Sequence, residues 1–136
     1  MHHDGVFDPS SLEQARDQYE RVGPAAQTVV RETAKAMDFD REEYGERVTS
    51  DVVETARDAL FASLLTVTVG TRAEYDEWRE SYSGDVHEMG GENVDHVVWH
   101  EGPAGEAIAA TFQHEEAAAV ATLRRQAFGR LYRDRL

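Results

Sequence analysis

An α+β fold is what this sequence predicts: a helical N-terminal half, then β-α-β-β-β-α, with a mainly antiparallel sheet carrying the last two helices on one face. Three observations lead there. Apolar residues recur every three or four positions between Leu12 and Leu64, the period of a helix with one buried side. Near Leu65 the period shortens to two, as Leu65, Val67 and Val69 alternate with Thr66 and Thr68. Beyond it, glycine breaks the chain into short apolar runs at Gly70, Gly90-Gly91 and Gly102-Pro103. No linker or repeat separates the halves, so residues 1–136 are expected to form one domain, helical over 1–64 and sheet plus two helices over 65–136.

Each element has a local reason. Ser10 and Glu13 stand at capping-box spacing and start the first helix, whose buried face holds Leu12, Ala15, Tyr19 and Val22. Gly23-Pro24 ends it and begins the next, since glycine tolerates a left-handed cap and proline suits a first turn. Ala26, Val29, Val30, Thr33 and Met37 form the second helix's expected buried stripe. Asp40 and Glu43 cap a short helix reaching Val48, and Val53, Ala56, Leu60 and Leu64 mark a fourth. After the strand at Leu65–Val69, Thr71 and Glu74 make another capping box, and Tyr75, Trp78 and Tyr82 share a helix face. Strands are expected near 85–89, 94–100 and 106–112, with Gly90-Gly91 read as a hairpin turn. If the strands near 67 and 87 pair in parallel, the helix between them crosses over right-handed. The last helix runs from about Glu115 to Arg133 and buries Val120, Leu123, Ala127, Phe128 and Leu131.

Charge is the strongest compositional signal. Twenty-seven acidic residues face fourteen basic ones, a formal net charge of −13, and Lys35 is the only lysine among thirteen arginines. Such a carboxylate coat repels itself in ordinary salt, whereas at molar ionic strength the screening length falls to about 3 Å. Arginine, weakly hydrated and planar, pairs with carboxylates better than lysine does. These features favour a salt-rich cytoplasm over the alternative, a GC-rich genome that would also replace lysine by arginine. There is no cysteine, which excludes disulfides, thiol nucleophiles and Cys-ligated metals. No apolar run suits a membrane span and the acidic start lacks a signal-peptide core, so a cytoplasmic protein is expected.

Candidate chemistry is sparse. His87, His96 and His100 fall among the strands with Trp99, but residues four apart on a strand lie about 13 Å apart, too far to share an ion. No metal and no cofactor are expected. His2 and His3 sit in a terminal stretch expected to be mobile. Asp38-Phe39-Asp40 opens like a calcium loop, then fails where glycine and a bidentate Glu are required. Gly70-Thr71-Arg72 lies between strand and helix, where free N–H groups can hold an anion, yet it lacks the dinucleotide and phosphate-loop patterns. Over 117–136, Arg124, Arg125, Arg130, Arg133 and Arg135 face Asp134 alone, a net +4 that leaves −17 on the other 116 residues.

In three segments the chain resembles a family of short haloarchaeal proteins of unknown function: Gly23-Pro24-Ala25-Ala26-Gln27-Thr28-Val29-Val30-Arg31-Glu32, Asp58-Ala59-Leu60-Phe61-Ala62-Ser63-Leu64 and Thr122-Leu123-Arg124-Arg125-Gln126-Ala127-Phe128-Gly129-Arg130-Leu131-Tyr132. These are helix faces, so the resemblance implies kinship and a salt-rich cytoplasm but no catalytic residue.

The leading functional expectation is a non-enzymatic interaction or regulatory protein, self-associating as a homodimer or binding another protein, with Arg124, Arg125, Arg130 and Arg133 at the contact. The alternative is a small-molecule or anion-binding enzyme, with its site at the Gly70–Arg72 turn (Thr71, Arg72) or on the histidine-bearing sheet (His87, His96, Trp99, His100). A nucleic-acid accessory role is disfavoured by the acidic body. Salt adaptation makes a direct prediction: the melting temperature followed by circular dichroism falls on dialysis from molar KCl to water. An unchanged value refutes it.

Overall fold

Six helices and five strands make up the fold, in a computed structural model that describes residues 1–136. The helices are α1 (Leu12–Arg21), α2 (Gly23–Ala36), α3 (Arg41–Arg47), α4 (Ser50–Ser63), α5 (Arg72–Ser81) and α6 (Glu116–Ala127). The strands are β1 (His2–Asp4), β2 (Val67–Thr71), β3 (Asp85–Met89), β4 (His96–Glu101) and β5 (Glu106–Phe112). The α+β class and the β-α-β-β-β-α order of the second half therefore hold. The terminal stretch expected to be mobile is instead a strand, paired antiparallel with β2 so that His2 faces Val69.

The sheet order is β1-β2-β4-β5-β3, antiparallel throughout except where β3 pairs in parallel with β5. The strands near 67 and 87 do not pair; β4 and β5 lie between them and α5 spans the gap. Gly90-Gly91 is thus no hairpin turn, because β3 and β4 are not neighbours. The hairpin is β4–β5, closed by the Gly102 N–H donating to Glu106 O at 2.8 Å, with Gly105 at φ 79°.

Strand alternation sends side chains to two different cores. Leu65, Val67, Val69, Val98 and Ile108 pack with α1, α4 and α6 on one face. Val97, Trp99 and Ala109 point the other way and pack with Tyr75 and Trp78 of α5. The two C-terminal helices therefore lie on opposite faces, and not on one as expected. The reason is legible in β4 itself: Val97-Val98-Trp99 is apolar at consecutive positions, the mark of a strand covered on both sides.

Phe61 is the hub of the larger core. Its ring stacks on Phe7 at 5.5 Å and meets Tyr19, Phe128 and Tyr132 edge-on at 5.4–5.9 Å. Three separated stretches of chain converge on it. Phe128 and Tyr132 arrive through a π-helical turn over Phe128–Tyr132, which continues α6 and turns Phe128, Leu131 and Tyr132 inward together.

Local capping is mostly as the residues suggest, with a shift at α1. There Ser11 caps, accepting from the Gln14 N–H at 3.0 Å, while Gln14 Oε1 accepts from the Ser10 N–H at 2.7 Å. Gly23 is not a left-handed cap; it is the first residue of α2, and a side chain there would collide with the Arg57 guanidinium. Along α2, Ala26, Val30 and Ala34 are buried, but Val29, Thr33 and Met37 face outward. The expected stripe is half open. Replacing Phe61 by Ala is predicted to lower the unfolding free energy by about 3–5 kcal/mol in a denaturant titration, with Phe61→Leu costing clearly less.

Candidate functional site

The residues picked out by sequence do not form one site. His96, His100 and His87 share the sheet face that packs on α6, while Trp99 lies on the opposite one. His96 stacks on Phe112 at 5.4 Å, and His87 Nε2 meets Glu106 Oε2 at 2.9 Å. Arg135 adds a second contact to Glu106 at 3.3 Å, and the hydrogen bonds from His87 and Arg135 hold the Glu106 carboxyl below its usual range. No grouping of His, Asp and Glu side chains has metal-binding geometry.

His100 is a core residue, 1% exposed. Its ring bridges Thr66 O and the Tyr132 hydroxyl, each at 2.6 Å. A carbonyl can only accept, so Nδ1 carries the proton and Nε2 accepts from the Tyr132 O–H. Burial pushes the His100 pKa down and the Tyr132 pKa up, so both stay neutral in the fold.

At the Gly70–Arg72 turn the backbone donors of Thr71, Arg72 and Glu74 are taken within the chain, whereas Arg72 Nε is buried without a hydrogen-bond partner. The Thr71 N–H donates to Glu74 Oε1 at 2.9 Å, the Arg72 N–H to Asp95 O at 2.9 Å, and the Glu74 N–H to Thr71 Oγ1 at 3.2 Å. The Arg72 guanidinium reaches Gly91 O at 2.7 Å and lies over the Tyr75 ring. The hollow beside it measures about 40 Å³, room for little more than one water.

The C-terminal arginines divide. Arg124, 15% exposed, donates through Nε to Leu65 O at 2.8 Å and through Nη2 to Asp4 O at 3.0 Å, tying α6 to the sheet edge. Arg125, Arg130 and Arg133 are exposed. Arg133 lies over the Phe128 ring, and with Arg125 it borders a depression against Asp58, Ala59 and Ala62 of α4.

Two concave regions stand out that sequence reasoning did not single out. One is an apolar groove of about 320 Å³ between α2, α3 and α4. Val29 (47% exposed), Met37 (59%) and Val52 (42%) open onto it, and Arg47 is its one charged lining residue. The other is a cleft of about 400 Å³ beside α5, on the half of the sheet that α5 leaves uncovered. Trp78 and Trp99 line it at 5.5 Å between rings, together with His3, Thr66, Thr68 and the carboxylates of Asp8, Glu74, Glu77 and Glu101. Glu101 accepts from Trp78 Nε1, His3 Nδ1 contacts Thr68 Oγ1 at 2.9 Å, and the Met1 amino group lies 3.1 Å from Glu74. The Thr71 N–H, foremost, holds the Glu74 carboxyl below its usual range. The shared face of Tyr75, Trp78 and Tyr82 was legible in sequence; the meeting of β1 with β2 that walls the cleft was not.

Residues 6–133 match a family of unknown function, DUF5809, and the chain belongs to that family. No curated protein and no solved structure is significantly similar to it. No helix is long and apolar enough to cross a membrane.

The buried imidazole yields a test. Because the folded chain holds His100 below its ordinary value of 6.5, the unfolded chain binds that proton more readily. Its contribution to stability is present above that value and is lost as pH falls below it, through the folded pKa. Unfolding free energy measured between about pH 7 and 5 should fall less steeply in His100→Gln than in the parent. Tyr132→Phe, which leaves Nε2 without a donor, should cost about 1–3 kcal/mol at neutral pH.

Proposed function

We propose that this chain is a non-enzymatic interaction module of a salt-rich, haloarchaeal cytoplasm, and that its partner is a second copy of itself. The observation that carries the reading is the apolar groove along α2 and α4, where Val29, Met37 and Val52 stay exposed. A chain this poor in large apolar side chains leaves few of them in water, and an apolar patch of that kind marks a contact surface. For anionic proteins in molar salt, a nearly uncharged face is the one through which two copies meet without opposing carboxylates.

The flanking charges support a two-fold arrangement. Asp51 lies in the first turn of α4, and the preceding α3 carries Glu42, Glu43 and Glu46 against Arg41 and Arg47. Arg125 and Arg133 border the later part of α4, beside Ala59 and Ala62. Two copies with their α4 helices antiparallel set the arginine end of each against the acidic end of the other, as an isologous interface requires. Arg130 extends that basic end. Arg124 is engaged within its own chain and serves the contact only by holding α6 in place.

Sedimentation equilibrium in molar KCl should give a dimer for the parent chain. Val29→Asp combined with Met37→Asp should raise the dissociation constant by roughly 100-fold or more, with circular dichroism unchanged, because the interface anchors are lost. Arg125→Glu should weaken the dimer less. A parent chain that is monomeric at every concentration removes the proposal.

A further inference from the structure

Twenty-seven acidic residues are available to thirteen arginines in this chain, and Arg21, Arg79, Arg124 and Arg135 each pair with one. Arg125 and Arg133 pair with none, although both border the depression against α4. The side chain of Arg125 makes a single long hydrogen bond, 3.4 Å, to Thr122 Oγ1 of its own helix. Arg133 lies over the Phe128 ring at 5.4 Å, which positions its guanidinium without engaging the N–H groups. The π-helical turn over Phe128–Tyr132 is what brings the two together. Residues eight apart on a regular α-helix diverge by about 80°, whereas a wider turn between them rotates the second back toward the face of the first. Asp58 is the one carboxylate in the lining, and it is engaged on its other side: it accepts from the Tyr19 O–H at 2.6 Å, beside Arg57, whose guanidinium lies over the Tyr19 ring. Ala59 and Ala62 complete an apolar wall, and at about 430 Å³ the depression has the size of a small-molecule site.

We infer that this depression binds a small molecule carrying a phosphate monoester, with the phosphoryl oxygens on Arg125 and Arg133 and the organic part against Ala59 and Ala62. Guanidinium groups present paired N–H donors whose spacing matches two oxygens of one phosphoryl group, and such charge-assisted bonds are among the strongest available at a surface. A spherical chloride ion cannot reproduce that two-oxygen match. Molar KCl therefore screens the long-range attraction but leaves the contact geometry to select the ligand. The same two arginines face a partner's carboxylates in the dimer proposed above, so ligand and partner compete for them. Binding itself needs no second copy, and the two proposals stand or fall separately.

The experiment is calorimetric titration in molar KCl above neutral pH, where a phosphate monoester is close to dianionic. Phenyl phosphate and, separately, inorganic phosphate are added to the parent chain and to the Val29→Asp, Met37→Asp chain, whose groove contact is removed. Phenyl phosphate is expected to saturate both chains at one site per chain, and inorganic phosphate to bind more weakly because it leaves the apolar wall empty. Arg125→Gln combined with Arg133→Gln should weaken phenyl phosphate by about tenfold or more, since each loses a charge-assisted hydrogen bond. Arg21→Gln combined with Arg31→Gln removes the same charge elsewhere and should leave the affinity within about twofold. Circular dichroism confirms that each variant folds. No saturable binding of phenyl phosphate, equal affinity for inorganic phosphate, or an equal loss in both arginine pairs would each overturn the assignment.

Discussion

The burial of one phenylalanine ring holds the larger core together. Phe61 lies in the last turn of α4, and its contacts come from the segment before α1, from α1, and from the turn that closes α6. Aromatic pairs set edge to face contribute about 0.5–1.5 kcal/mol beyond their area, and here three such pairs share one ring. The arrangement suits a chain with few large aliphatic residues. Alanine fills the spaces between helices, and a handful of rings supplies the volume. The helical half is thereby fixed to the sheet by packing rather than by charge, which matters for a molecule whose surface charges repel.

Much of the secondary structure was legible because it depends on short-range rules. The Thr71–Glu74 box, the strand alternation from Leu65 to Val69, and the buried positions of α6 follow from spacing alone. What spacing cannot specify is which strand lies beside which. The Gly90-Gly91 turn looked like a hairpin because nothing local distinguishes a hairpin from a longer link. Only the register of β3 against β5, Asp85 opposite Glu106, separates them. The open half of α2 was likewise hidden, since Val29 and Met37 have the same periodicity as buried residues. Periodicity reports a capacity for burial and does not say that a partner element exists within the chain.

The candidate histidines illustrate the other limit. His100 reads as a ligand when listed beside His96 and His87, yet it is a core residue fully satisfied by a carbonyl and a phenol. The cleft residues, by contrast, came from five places in the chain: the terminal strand, the loop to α1, the β2 segment, α5 and β4. No motif spans such distances. Its one local trace was the apolar run in β4, which required a covering helix and so placed Trp78 over Trp99.

The sheet order has a kinetic consequence. β3 leaves α5 before either β4 or β5 has been traversed, but its sole neighbour in the sheet is β5. It has nothing to pair with until the β4–β5 hairpin stands. The pairing of β3 therefore depends on β5, further along the chain, whereas α5 packs on β2 and β4 directly. The wall that α5 gives the tryptophan cleft thus rests on β2 and β4 and not on the edge strand that follows it.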